Sequence, residues 1–502
     1  MKGTKKVILN SSFYVVSSLL VDAIGFVLLP VYLVFLDPNE YGVVSIANGF
    51  LDVIILVAVM SLHMAVARFY TDYKKNNNDV SNYFGSLLNF TWIASLVFTL
   101  LLLLFKGMLE RYIFEGIPFN PIIILILVSI PFRSIRNIHR AILRGTQAGG
   151  ELALANLSAF IIQAGLTLLF IGYYKLGAAG MLLAALITHG LYVIYVYIDL
   201  LYKKMLSFSL KWKMITDSLK YSIPILPHNL SSYIATLFGR VVLNNTYDTT
   251  TVGLYSVASQ FGTVVDTIEA STNNAFTPWF FNYKNGDEAQ SPQNLVKIFA
   301  CFFALILLTV GLFSQEIILL FTNISYHEAW KAIPVLNCAF AIKAVYYFYI
   351  NVLLFYKEAA KKLFTITLSG SFLNIFITAL LTRHFGMYGP AIGLVVSQFF
   401  ISSLIFFYSR KFDKTSLNYH FVLTPILLSL FLLTIGITPS YFYFENEVVP
   451  ANIVIKSVIL LFFVVFILKY NRDITSVIRQ MIKKKNKNCS KMKHVFLLKL
   501  LL

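Results

Sequence analysis

Charge is what this chain is short of. Only 13% of its 502 residues are Asp, Glu, Lys or Arg, against about 25% in soluble domains. Cysteine is scarce as well. Of the three, Cys301 and Cys338 fall in apolar runs and Cys489 in a basic tail. None stands at metal-ligand spacing from another, which argues against a disulfide and a zinc site. No connection between apolar runs is long enough to hold a soluble domain. What is abundant is apolar: 58% of the residues are hydrophobic, and 16% of the chain is aromatic. Only a polytopic membrane protein fits this balance. The 41 Lys and Arg exceed the 23 Asp and Glu, but they are scattered over many short loops. They therefore speak to membrane orientation and not to nucleic acid.

Fourteen runs are long and apolar enough to be spans: 8–35, 41–66, 82–105, 119–139, 152–172, 177–201, 219–244, 252–280, 295–321, 330–355, 362–382, 387–408, 418–441 and 451–469. The first resembles a signal peptide only in its basic start. It shows no small-residue cleavage pattern and is expected to remain as a helix. Alternate connections carry the positive charge: Arg68, Lys74 and Lys75, then Arg133 to Arg144, then Lys203 to Lys220, then Lys357 to Lys362. The opposite set holds Asp37, Glu40, Asp248, Glu445 and Glu447. The basic side is expected to be cytoplasmic, with both termini inside.

Two stretches share one template, D-x4-G-x2-S-x-A-x2-F. The first is Asp37, Gly42, Ser45, Ala47 and Phe50; the second is Asp248, Gly253, Ser256, Ala258 and Phe261. A second pair, Gly177-x-x-Gly180 and Gly386-x-x-Gly389, repeats at nearly the same offset. The chain is thus read as a doubled unit, with runs 1–6 repeated in runs 7–12. An even number of spans per unit makes the repeats parallel, related by an axis along the membrane normal. The expected fold is all-α: two six-helix bundles plus two C-terminal helices. The expected division is 1–205, 206–415, a helix pair over 416–470 and a basic tail over 471–502. Lys456, in the last run, is expected to snorkel to a nearby end.

Ionisable groups inside spans are costly and usually face a cavity or one another. Asp22 lies in run 1, Asp52 in run 2, Arg240 in run 7, Asp266 and Glu269 in run 8, and Lys343 in run 10. Helical spacing puts Ser45, Asn48 and Asp52 on one face, with His63 returning to it further on. Asn229, Ser232, Thr236 and Arg240 form a similar stripe in run 7. Such stripes either line a cavity or tie helices together. Pro224 and Pro227 should bend run 7 near its start, and Pro278 should do the same late in run 8. Arg140 and Arg144 are placed in the connection before run 5, where they could meet a phosphate or only follow the inside-positive bias.

The ordered set of motifs resembles the polysaccharide-export flippases of the Wzx type, in the superfamily that also holds MATE exporters and lipid II flippases. The residues that carry it are Asp37-Pro38-Asn39-Glu40-Tyr41-Gly42, Ala67-Arg68-Phe69-Tyr70, Ile223-Pro224-Ile225-Leu226-Pro227-His228, Gly253-Leu254-Tyr255-Ser256-Val257-Ala258 and Phe276-Thr277-Pro278-Trp279. Gly239 stands where such proteins often have Asp before the arginine. The resemblance implies a V of two bundles around a central cavity. It implies translocation of an undecaprenyl-pyrophosphate-linked oligosaccharide to the outer leaflet of a bacterial plasma membrane, without catalysis or cofactor. On that reading Arg240, Asn229, Ser232, Thr236, Asn48 and Lys343 would line the substrate cavity. Asp22, Asp52, Asp266 and Glu269 would serve ion coupling, to H+ or Na+. Membrane lipids and other polysaccharide-export proteins are the further partners it implies. A MATE-like exporter would need an acidic cavity, which the four acids could supply and which Arg240 and Lys343 oppose. A glycan polymerase or ligase would need a sizeable outer loop gathering His, Arg and carboxylates, and every outer loop here is short.

Overall fold

The computed structural model describes residues 25–26, 28–74, 76–286, 292–413, 417–445 and 447–472. Among them every regular element is a helix. In chain order the α-helices are α1 Pro38–Ala58, α2 His63–Tyr73, α3 Asn77–Leu104, α4 Lys106–Tyr112, α5 Ile124–Gly145, α6 Gly149–Leu168, α7 Gly177–Tyr202, α8 Trp212–Ser222 and α9 Leu226–Thr246. They continue as α10 Thr249–Asn285, α11 Gln293–Leu312, α12 Ser314–Phe321, α13 Ile333–Phe355, α14 Lys357–Phe385, α15 Tyr388–Phe412, α16 Tyr419–Phe442 and α17 Pro450–Tyr470. Eleven helices among the described residues are long and apolar enough to cross a membrane, so the expected count of fourteen is not reproduced. Run 1 lies largely outside the described residues. Runs 7 and 8 do fold, as α9 and α10, but both fall short of that apolar threshold.

The doubled template has a structural meaning. Asp37 caps α1, accepting from the Glu40 amide at 2.8 Å. Asp248 caps α10 in the same way, accepting from the Thr251 amide at 2.7 Å. These side chains satisfy amides that the first helical turn leaves free. From these starts α1 and α10 run side by side. A Cβ on Gly42 would strike the Thr249 carbonyl, and one on Gly253 the Pro38 carbonyl, so both glycines are fixed by close backbone approach. Three residues on, Ser45 and Ser256 meet hydroxyl to hydroxyl at 2.5 Å. Ala47, Phe50, Ala258 and Phe261 then fill one apolar core. Small residues that let helices approach are what holds a seam together where lipid is as apolar as the protein.

Around this seam the helices form two packed sets. In the first half α3, α6 and α7 gather on α5, and α6 also packs on α7. In the second, α11, α14 and α15 gather on α13, α14 also packs on α15, and α9 joins α14. The helix α8 belongs to the second half in sequence but packs on α2 and α3. The last two helices lie against α11.

Four expectations are corrected here. Run 2 is broken at Met60 and Ser61, both at positive φ (49° and 53°), so His63 opens a new helix and does not return to the face of Asp52. Pro224 and Pro227 do interrupt run 7, with a tight turn over Ile223–Ile225 between α8 and α9. Pro278, by contrast, sits inside a continuous 37-residue α10. The arginines before run 5 are not in a connection, because α5 continues to Gly145. Lys456 does not snorkel. It is fully buried, and its ammonium donates to Glu316 at 2.6 Å beside Gln315 and Asn452. Apolar packing of α17 on α11 encloses the lysine, so it can reach no interface.

Candidate functional site

Two polar cavities flank the seam. The first occupies the N-terminal half and measures about 250 Å³. It is built mainly by α5, on which Arg133, Arg136 and Arg140 recur at spacings of three and four and so share one helical face. All three line the cavity, with Asp52 of α1, His189 of α7 and Tyr233 of α9. Arg133 donates to Asn48 at 3.2 Å and to Asp52 at 3.3 Å. Arg136 contacts His189 Nδ1 at 3.1 Å and lies 5.0 Å from the centre of the Tyr192 ring. Since a guanidinium can only donate, that ring nitrogen is the acceptor and carries no proton. The Nε atoms of Arg136 and Arg140 are buried without a hydrogen-bond partner. Three guanidiniums therefore face one aspartate. This is a cavity with cationic excess and unused donors, and a doubly charged or larger anion is what it can hold.

The second cavity, about 350 Å³, lies in the C-terminal half. Ser232, Thr236 and Arg240 of α9 line it together with Thr263 and Asp266 of α10 and Lys343 of α13. Ser232 and Thr236 face it as expected, with their hydroxyls bonded back to their own helix. Asn229 is not among its lining residues. Lys343 is not a free cation: it pairs with Asp266 at 2.7 Å, and Tyr347 donates to the same carboxylate at 2.8 Å. Glu269, one turn further, is buried behind the cavity wall.

Arg240 stands between the two. Its Nη1 donates to the Ser45 carbonyl at 3.3 Å, its Nε is buried without a partner, and its side chain fills the space that Gly49 leaves open. It thus touches the seam, while Asp266, one candidate partner, is held by Lys343. Asn48 accepts from Arg133 and so belongs to the N-terminal cavity. Asp22 lies outside the described residues. Two contacts at the cavities escaped sequence reading: Arg136 with His189, and Arg133 as the holder of Asp52. Their signal was the three-and-four spacing of the arginines, visible once α5 is known to run through them.

The arrangement defines a class of protein: a multi-pass membrane protein, all-helical among its described residues, whose two related halves carry polar cavities on either side of their seam. The family described as polysaccharide biosynthesis protein matches residues 7–284, more than half of the chain, and the chain belongs to that family. A protein of the Lsg locus of Haemophilus influenzae is 22% identical over 280 residues, 55% of this chain and just under two thirds (66%) of that protein. Among solved structures, the lipid II flippase MurJ in an inward closed conformation superposes with a TM-score of 0.65 at 18% identity, covering 93% of this chain and 99% of that one. An inward-facing multidrug resistance MATE family transporter gives 0.63 at 18% identity, over 81% and 96%. The fold is therefore the one shared by these transporters, and the family places the chain in polysaccharide biosynthesis.

Proposed function

We propose that the protein carries a polyprenyl-pyrophosphate-linked oligosaccharide from the inner to the outer leaflet of a bacterial plasma membrane. The observation that carries this reading is the arginine cavity: Arg133, Arg136 and Arg140 face a single Asp52, and a second, hydroxyl-lined cavity lies in the other half. The diphosphate occupies the arginines, with Arg240 beside it at the seam, and the sugars lie along Ser232, Thr236 and Thr263. A sugar diphosphate cannot cross hydrocarbon unaided, since its polar groups would lose their hydrogen bonds. A polar path between two halves supplies partners while the lipid tail stays in the bilayer. An inside-negative potential favours outward movement of an anion by about 2.3 kcal/mol per charge per 100 mV. The distribution of Lys and Arg supports cytoplasmic termini, and the two halves on either side of the seam are the moving bodies, with α8 carried by the N-terminal one. The test is lipid analysis of a deletion strain. Complete lipid-linked units should accumulate on the inner face. Single units displayed outside would mean a polymerase, and an unaltered glycan with raised drug sensitivity would mean a MATE-like exporter.

A further inference from the structure

The chain between α7 and α8 is a fixed strap and not a slack connection. The Ser207 amide donates to the Ser81 carbonyl of α3 at 3.2 Å, and the Ser207 hydroxyl donates to Asn82 at 2.9 Å. The Ser209 carbonyl accepts from Asn89 at 3.1 Å, and the Lys211 amide donates to the Ser86 hydroxyl at 2.8 Å. A Cβ on Gly85 would strike the Ser207 carbonyl, so α3 carries a glycine where the strap crosses it. The helix α8 then turns Ile215, Ser218 and Ser222 inward against α2 and α3. Lys213, Thr216 and Lys220 repeat the same three-and-seven spacing on the opposite face and are exposed.

The strap lies at the basic end of the bundle. Gly177, where α7 starts, lies against the Glu40 side chain at the cap of α1, so Tyr202, where α7 stops, is at the far end. Between Tyr202 and Ser222 there are five lysines and one acid, Asp217. Lys203 is taken by Asp199 at 2.8 Å and by Glu151. Lys204, Lys211, Lys213 and Lys220 are exposed and have no ion-pair partner among the described residues. Several basic groups elsewhere at this end are engaged: Arg68 with Asp72, Lys284 with Asp413, and Arg410 and Lys411 over the Tyr419 and Tyr408 rings.

Two large aromatic side chains stand out among these free lysines. Phe208 is 75% exposed and Trp212 60% exposed. The Trp212 ring lies edge-on to Phe90, 6.4 Å between centroids, and Phe90 belongs to the membrane-spanning stretch of α3. The indole is therefore held where span and water meet, the level at which an apolar ring with one polar edge is most stable. Lysines beside it can lay their stems on apolar surface and raise their ammoniums to the headgroups. Because the strap is already fixed to α3, little ordering remains to be done when it meets a ligand.

We propose that this strap is a docking surface for the acidic glycerophospholipids of the adjoining leaflet. Phe208 and Trp212 enter the acyl boundary, and Lys204, Lys211, Lys213 and Lys220 hold the headgroup phosphates. Four unpaired ammoniums facing one carboxylate select a net anionic headgroup over a zwitterionic one, which brings a cation of its own. The site is independent of what the cavities carry.

The experiment is quenching of tryptophan fluorescence in the full-length protein, reconstituted into phosphatidylcholine vesicles. Part of the lipid is replaced by chain-brominated phosphatidylglycerol or, at equal mole fraction, by chain-brominated phosphatidylcholine. The Trp212 share of the emission is the difference between the parent and Trp212→Phe. That share should be quenched by both lipids, and more strongly by the phosphatidylglycerol. The preference should be lost in the fourfold variant Lys204→Gln, Lys211→Gln, Lys213→Gln, Lys220→Gln. It should fall part of the way in the pair Lys213→Gln, Lys220→Gln, and survive Lys74→Gln, an exposed lysine just after α2. All the changed lysines are exposed, so melting in phosphatidylcholine should match the parent. Inorganic phosphate, added with ionic strength held constant by chloride, should leave the preference in place. Trp212 emission that neither lipid quenches, equal quenching by the two, or a preference that outlives the four lysines overturns the proposal. Loss of the preference to inorganic phosphate also overturns it, and marks a site for the free anion.

Discussion

Arg133 and Lys343 stand at matching places in the two halves, 210 positions apart, and each holds an aspartate from the neighbouring seam helix. The backbone plan is thus copied while the chemistry is not. In the N-terminal half the basic residue has two further arginines on its face, and the surplus is positive. In the C-terminal half the basic residue is a lysine, a tyrosine shares its aspartate, and a buried acid waits one turn away. The repeat supplies a symmetric frame, and the halves diverge in the charge that lines their cavities. Asp52 and Asp266 were both expected to couple ions. Each is held by its own cation, Asp52 by Arg133 and Asp266 by Lys343.

The halves differ most in the buried pair Lys456 with Glu316, which has no counterpart among the described residues of the N-terminal half. Removing one partner of a buried ion pair costs about 3–5 kcal/mol. Lys456→Met should therefore lower thermal stability sharply, while Lys456→Met combined with Glu316→Leu should recover most of the loss. If the single and double variants melt alike, the pair is not a closed unit. Next come the seam glycines. Overpacking costs about 1–3 kcal/mol, and because Gly42 and Gly253 face each other's backbone symmetrically, Gly42→Val and Gly253→Val should reduce export to a similar degree. Cysteine-accessibility labelling near Asn39 and Thr249 should rise in both. A large effect in only one would show that the halves are not equivalent even at the seam. The smallest effect is expected at the hydroxyl contact. Interhelical hydrogen bonds in membranes average about 0.6 kcal/mol, so Ser45→Ala and Ser256→Ala should each leave export close to normal, as should the double variant.

The features legible in the sequence were those set by local geometry. Asp37 and Asp248 announce helix starts, Gly42 and Gly253 announce close approach, and the fixed offset between them announces the repeat. The polar stripe of Ser232, Thr236 and Arg240 was legible because helical periodicity alone decides which residues share a face. What stayed hidden depended on where helices end. Arg133, Arg136 and Arg140 read as inside-positive loop charges until α5 is seen to extend through them to Gly145. Lys456 reads as a residue able to reach an interface until α11, α12 and α16 are packed around it. Lys343 and Asp266 were each legible as functional and not as partners, since nothing local brings positions 77 residues apart together.

On the proposed reading the arginines of α5 hold the anion and the C-terminal half does not. The most direct test is calorimetric titration of inorganic pyrophosphate into the full-length protein in detergent, alongside a thermal-stability check of each variant. A charged hydrogen bond is worth about 2 kcal/mol, roughly thirtyfold in affinity. Arg136→Ala and Arg140→Ala should each weaken binding to about that extent, Arg133→Lys should weaken it less, and Lys343→Met should leave it unchanged. Folded arginine variants that bind like the parent, or a Lys343→Met variant that cannot bind, would contradict the claim.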